Sequence, residues 1–198
     1  GTQFIGFLSM FVPMIFVARL GEQQLAASAL ATSTVIIFNL TIMSAMRALS
    51  VLISYEHERG EYKKIGDLLW HGLLLGVAMS VLLAVILWFA GDFLLLFGQK
   101  AILVDMVRPY FHVASFTLVI LAAFLLMRQF YVGIGRPRVA LYLAILSTLL
   151  CIFLSAGFVL GSFNFPKIGL AGLAVAFLIS QSLALVAMVV LFFLSGYH

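Results

Sequence analysis

Apolar residues along the chain gather into six long stretches, at residues 3–18, 26–48, 68–91, 109–133, 139–161 and 169–194, and most charges and turn formers lie between them. A helix needs ~20 apolar residues to cross ~30 Å of hydrocarbon, and these stretches have about that length. They are apolar on all sides, not alternately apolar and polar as a membrane barrel requires. The pattern therefore predicts an all-α integral membrane bundle of six transmembrane helices. The six use nearly every residue, so 1–198 reads as one bundle with no soluble domain between spans. The first stretch starts without Met and has neither a basic leader region nor a cleavage site, so it reads as a helix whose beginning is missing. Residue 198 follows directly on a span. On this reading the chain is a fragment of a longer protein.

Composition narrows the classes further. Of the 198 residues 65% are hydrophobic and 9% charged, against about 45–50% and about 25% in soluble domains. Mean hydropathy is +1.23. A soluble enzyme, a disordered segment and a nucleic-acid binder all fit poorly, since the eleven Lys and Arg behind the net charge of +4 are scattered. The single cysteine, Cys151, offers no internal disulfide. The second and fourth connectors, 55–64 and 133–138, carry Arg59, Lys63, Lys64, Arg136 and Arg138, with Arg128 just before the latter. Arg19, Lys100, Arg108 and Lys167 lie by the others, and this bias puts the second and fourth connectors in the cytoplasm. Trp70 and Trp88 are 18 residues apart, or ~27 Å at 1.5 Å per residue, which suits the two interfacial aromatic belts.

Nothing in the sequence assembles a catalytic or metal centre. His57, His71, His112 and His198 are far apart and form no paired-ligand motif. Gly133-Ile134-Gly135-Arg136-Pro137 reads as a turn opening the fifth helix at Pro137 rather than a phosphate loop. Asp67, Asp92 and Asp105 lie at span ends, so no proton- or sodium-binding acid stands in a span centre. Arg47 and Arg128 lie inside apolar runs and read as snorkelling to headgroups. The functional alternative is that they face a cavity and pair with a partner half or an anionic lipid. Thr32 and Asn39 are seven apart and share a face, with Ser28 close by. Thr148, Cys151 and Ser155 recur at i, i+3 and i+7, and Ser180-Gln181-Ser182 sits near the middle of the last span. Unpaired amides cost several kcal/mol in lipid, so Asn39 and Gln181 should face protein or water. For these two, helix–helix bonding and cavity lining stand level; for Thr148, Cys151 and Ser155 helix contact is preferred. Gly72, Gly76 and Ser80 form a small-residue packing stripe. Pro13 should bend the first span, and bent helices often mark transport sites.

Five segments in order resemble the amino-terminal half of a MATE (multidrug and toxic compound extrusion) transporter. They are Phe16-Val17-Ala18-Arg19-Leu20-Gly21 with Leu25-Ala26-Ala27-Ser28-Ala29-Leu30; Ser50-Val51-Leu52-Ile53-Ser54 before a charged connector; Leu94-Leu95-Leu96-Phe97-Gly98-Gln99; Met127-Arg128 with Gly135-Arg136-Pro137-Arg138; and Phe165-Pro166-Lys167-Ile168-Gly169-Leu170-Ala171-Gly172-Leu173-Ala174. The resemblance covers essentially the whole chain. It implies one six-helix lobe of a twelve-helix exporter that moves organic cations and other drugs in exchange for H+ or Na+, with alternating access between lobes. It implies no bound cofactor beyond that ion. The partners implied are the lipid bilayer, a small organic cation or lipophilic substrate, and a second six-helix lobe from the same chain or by self-association. The location implied is a multi-pass place in the bacterial inner membrane.

The departures bear on coupling. Pro13 stands where many relatives carry an acid, and Ala18 where they carry glycine. Tyr55 and Glu58 replace a Gln and a Gly near the end of the second helix. Cys151 and Ser155 replace Asn and Asn or Asp. The family's amino-lobe cation site is therefore expected to be absent, with any coupling in the other lobe. Thr32, Asn39, Thr148, Cys151, Ser155 and Gln181 remain as neutral cavity groups. Two alternatives are a flippase for a lipid-linked or amphipathic molecule, for which Arg47 should face a central cleft, and a non-transporting membrane subunit.

Overall fold

The computed structural model describes residues 15–18, 21–161, 166 and 168–194. Among them are no strands, a helical segment at 15–18, and six helices with defined ends: α1 (Glu22–Glu58), α2 (Tyr62–Trp88), a short α3 (Ala90–Leu96), α4 (Ala101–Gly133), α5 (Pro137–Leu160) and α6 (Ala171–Leu194). All but α3 are long and apolar enough to cross a membrane. Of the first predicted span only residues 15–18 are described; they are helical, and Val17 is fully buried. Pro13 and its expected bend lie outside the described residues.

Three boundaries differ from the hydropathy reading. α1 runs ten residues past 48 to Glu58, carrying its charged end out beyond the apolar stretch. The 68–91 stretch is broken at Phe89, between α2 and α3. α4 begins at Ala101, not 109, and continues through Pro109. Hydropathy marks where the hydrocarbon is, while the helical hydrogen-bond ladder continues beyond it until a turn intervenes. One such turn behaves as expected. Gly135 takes φ 76° after α4, Arg136 N–H donates to Tyr131 O at 2.9 Å, and Pro137 stands at the first position of α5. A left-handed glycine followed by a helix-opening proline reverses the chain in four residues.

α4 is the hub. Of its most apolar stretch 61% is buried, against 17–28% for the other four long helices, and it packs against α1, α2 and α6. α5 is held mainly through α6. With no hydrophobic drive between helices in lipid, close approach and interhelical hydrogen bonds hold the bundle. The α2 stripe acts this way: Gly72 lies against Leu49 and Leu126, and Gly76 against Met46 and Ala122. α1 and α4 meet where Gly133 lies on Ile53 and Ser54 Oγ donates to Gly133 O at 3.1 Å. α4 is pinned to α6 by the buried Tyr131 hydroxyl, which donates to Met188 O at 3.0 Å. The Phe130 and Phe192 rings add an edge contact at 5.3 Å. α5 and α6 touch where Gly172 reaches the Phe158 backbone.

Candidate functional site: a neutral polar layer

The pinned contacts set the depth of each candidate. α1, α4 and α6 run in one direction, and residues at equal depth are offset by about 80 from α1 to α4 and about 57 from α4 to α6. Asn39 is then level with about Val119 of α4. Across the antiparallel α5–α6 pair, Ser147 is level with Ser180, which brings Cys151 close to the depth of Asn39. Gln181 lies about one and a half turns from that layer, or ~7 Å.

Cys151 and Ser155 are brought together, with Sγ and Oγ 4.0 Å apart on one face of α5. Both are nearly fully buried. Ser180 of α6 lies beside Cys151, its hydroxyl donating to Phe177 O of its own helix at 3.0 Å. Ser147 completes the seam by donating to Ser180 O at 3.5 Å. These residues bridge α5 to α6. Thr148 is half-buried beside the seam and makes no hydrogen bond among the described residues. Ser147 was missed in the sequence, although Ser147, Cys151 and Ser155 at i, i+4 and i+8 mark one helix face as well as the triplet starting at Thr148 does.

The other candidates stay apart from this seam. Thr32 is half-buried and donates to Ser28 O of its own helix at 2.7 Å, so its polarity is satisfied locally. Asn39 is half-buried with no hydrogen bond among the described residues. Gln181 is also half-buried, and its Oε1 is buried without a partner. A cavity of about 50 Å³ lies between α5 and α6, lined by Ser147, Ser180 and leucines and alanines. That volume suits a water or two, not an organic cation. An open apolar groove of about 370 Å³ lies between α2 and α4 beside Trp88 and Phe116. Neither is lined by Asn39 or Gln181. Among the described residues no three His, Cys, Asp or Glu side chains converge.

Two arginines also lie within the spans. Arg47 is exposed and Arg128 half-buried. Leu49 faces Gly72 and Met46 faces Gly76, so Trp70 is level with about residue 51, and Arg47 lies about one turn, ~6 Å, inside it. That is the depth from which an arginine stem reaches headgroups.

Set beside known proteins, this arrangement has clear relatives. The MatE family profile matches residues 1–156. The chain belongs to the MatE family. It is 30% identical over 165 residues to "Probable multidrug resistance protein NorM" of Rhizobium meliloti (strain 1021), spanning 82% of this chain and 35% of that protein. It is 26% identical over 164 residues to the protein of the same name in Pseudomonas aeruginosa, with 83% and 34% covered. Among solved structures it resembles an outward-facing multidrug resistance MATE family transporter of the MOP superfamily, at TM-score 0.83 and 19% identity, over 98% of this chain and 42% of that one. It also resembles a MOP superfamily transporter from Pyrococcus furiosus described as having a binding pocket of reversed polarity, at TM-score 0.84 and 20% identity, with 98% and 42% covered. The chain thus spans about a third to two-fifths of the length of these relatives. It has the fold of one lobe of a MATE transporter and is a multi-pass integral membrane protein. The family is one of transporters, not enzymes.

Proposed function

We propose that this chain is the amino-terminal lobe of a MATE-type exporter of organic cations or lipophilic drugs, working by cation antiport with alternating access. The membership in MatE and the relatives named as multidrug resistance proteins support the class. The observation that carries the site is the buried, unpartnered Oε1 of Gln181 on the helix flanking α4, with half-buried Asn39 on the opposite flank. An amide without a partner in a membrane bundle is retained at a cost unless something polar meets it in use. Neutral amides within apolar spans suit weak, broad recognition of cations that differ in shape. The polar seam of Cys151, Ser155 and Ser180 offers no carboxylate, so H+ or Na+ coupling is assigned to the rest of the transporter. The second lobe supplies the opposite wall of the substrate cleft. The headgroup-level depth of Arg47 does not favour the flippase reading.

The test is efflux of a fluorescent cation by cells expressing the full-length protein. Asn39→Ala and Gln181→Ala should each slow efflux at unchanged expression. Transport equal to wild type in both variants would remove these side chains from the mechanism.

A further inference from the structure

The two span arginines form a pair that the transport reading leaves unused. α1 and α4 run in parallel, with Ile53 on Gly133 and Ser54 bonded to Gly133 O. The same register puts Arg47 beside Arg128 at one depth, close enough for the two charges to repel. Among the described residues no acid forms an ion pair with either. The ion pairs among the described residues join Lys64 to Glu56 and Glu61, and Arg108 to Asp92. Two adjacent cations next to hydrocarbon call for a counter-anion far more strongly than they would in water.

The surroundings say which kind of anion. Both arginines lie about a turn inside Trp70, at the end of the bundle that also carries Arg59, Lys63, Lys64, Arg136 and Arg138. Around Arg47 the exposed face of α1 is largely apolar, with Leu40 at 56%, Val51 at 70% and Leu52 at 49% exposure, and the exposed Thr41 and Ser44 hydroxyls are bonded to carbonyls of their own helix. A free phosphate entering there would lose water without gaining apolar contact. A lipid phosphate would sit at the reach of the two stems while its acyl chains cover Leu40 and Val51. Guanidinium forks match phosphate oxygens bidentately, which makes two arginines a stronger clamp than two point charges.

We propose that Arg47 and Arg128 together bind the phosphate of one anionic phospholipid, in the leaflet at the cation-rich end of the bundle. The site stands apart from Asn39 and Gln181, and its readout does not depend on efflux.

The experiment is native mass spectrometry of the full-length protein, supplied with phosphatidylglycerol or phosphatidylcholine of equal chain length. Wild type should retain phosphatidylglycerol in preference to phosphatidylcholine. Arg47→Gln and Arg128→Gln should each weaken that retention about tenfold, the equivalent of losing one charge-assisted contact. Arg47→Lys, which keeps the charge and loses the fork, should fall between wild type and Arg47→Gln. Because Arg47 is exposed, its variants test the site even where a change at half-buried Arg128 impairs folding. Equal phosphatidylglycerol retention by wild type and Arg47→Gln would overturn the proposal. So would equal retention of the two lipids by wild type. Displacement of phosphatidylglycerol by millimolar inorganic phosphate would also overturn it, by assigning the pair to a soluble anion.

Discussion

Gly172→Ala tests the contact that holds the polar seam together. A Cβ at Gly172 would meet Phe158 C, Cβ and O, each at 2.9 Å. Ordinary contact begins at 3.4 Å, so α5 and α6 must part by about half an ångström over three atoms at once. Two of the three are backbone, and no rotamer change moves them. Phe158 O also accepts the Ile168 N–H at 2.9 Å, so a shift there disturbs the turn before α6 as well. Overpacking of this kind costs about 1–3 kcal/mol, which lowers Tm by about 2–12 °C where this lobe unfolds as its own unit and by less where the whole transporter unfolds together. The 3.5 Å bond from Ser147 to Ser180 O is already long and would be lost first. The assay is thermal unfolding of the full-length protein in nanodiscs, with Gly66→Ala as control. Gly66 lies in the first turns of α2 with nothing within 4 Å of its Cβ position, so alanine there should be neutral or stabilise by about 0.5–1 kcal/mol. If Gly172→Ala unfolds at the temperature of Gly66→Ala, close α5–α6 packing does not hold this seam.

Three further outcomes follow from the same contacts. Gly133→Ala should destabilise by about 1–3 kcal/mol, because its Cβ meets Ile53 Cγ2 at 2.6 Å; Ile53→Ala removes that contact but leaves Ile53 Cβ at 2.8 Å and Ser50 O at 3.2 Å, so a double-mutant cycle of Tm values should show partial coupling only. Tyr131→Phe should cost about 1 kcal/mol through loss of the buried bond to Met188 O, seen as a lower Tm with unchanged helix content by circular dichroism. Cys151, 4% exposed, should react with a membrane-permeant maleimide far more slowly in the folded protein than after denaturation, and faster in Gly172→Ala than in wild type; equal rates in folded and denatured protein would contradict its burial.

What the residues determined by themselves was the solvent and the class of structure. Apolar runs of span length with charged connectors leave the backbone no choice but helices crossing lipid, because each peptide group must be bonded within its own segment. The Gly135–Pro137 turn and the Gly72–Gly76–Ser80 stripe were equally legible, since each depends on local backbone freedom or residue size. Helix ends were less so: Phe89 breaks a continuous apolar run, and α4 continues through a proline near its start.

Tertiary structure alone decided which polar residues meet. Period counting puts Thr148 and Ser147 on either side of the Cys151 position, at i−3 and i−4, and only the approach of α6 at Gly172 selects Ser147 as the partner of Ser180. The same holds for Arg47 and Arg128, 81 positions apart in the sequence. Their pairing depends on how far α1 slides along α4, and Ile53 against Gly133 sets that register through a contact no single-helix pattern encodes. A helix's own periodicity tells which side of it is polar, but the side chains it faces depend on the depth and rotation of its neighbours.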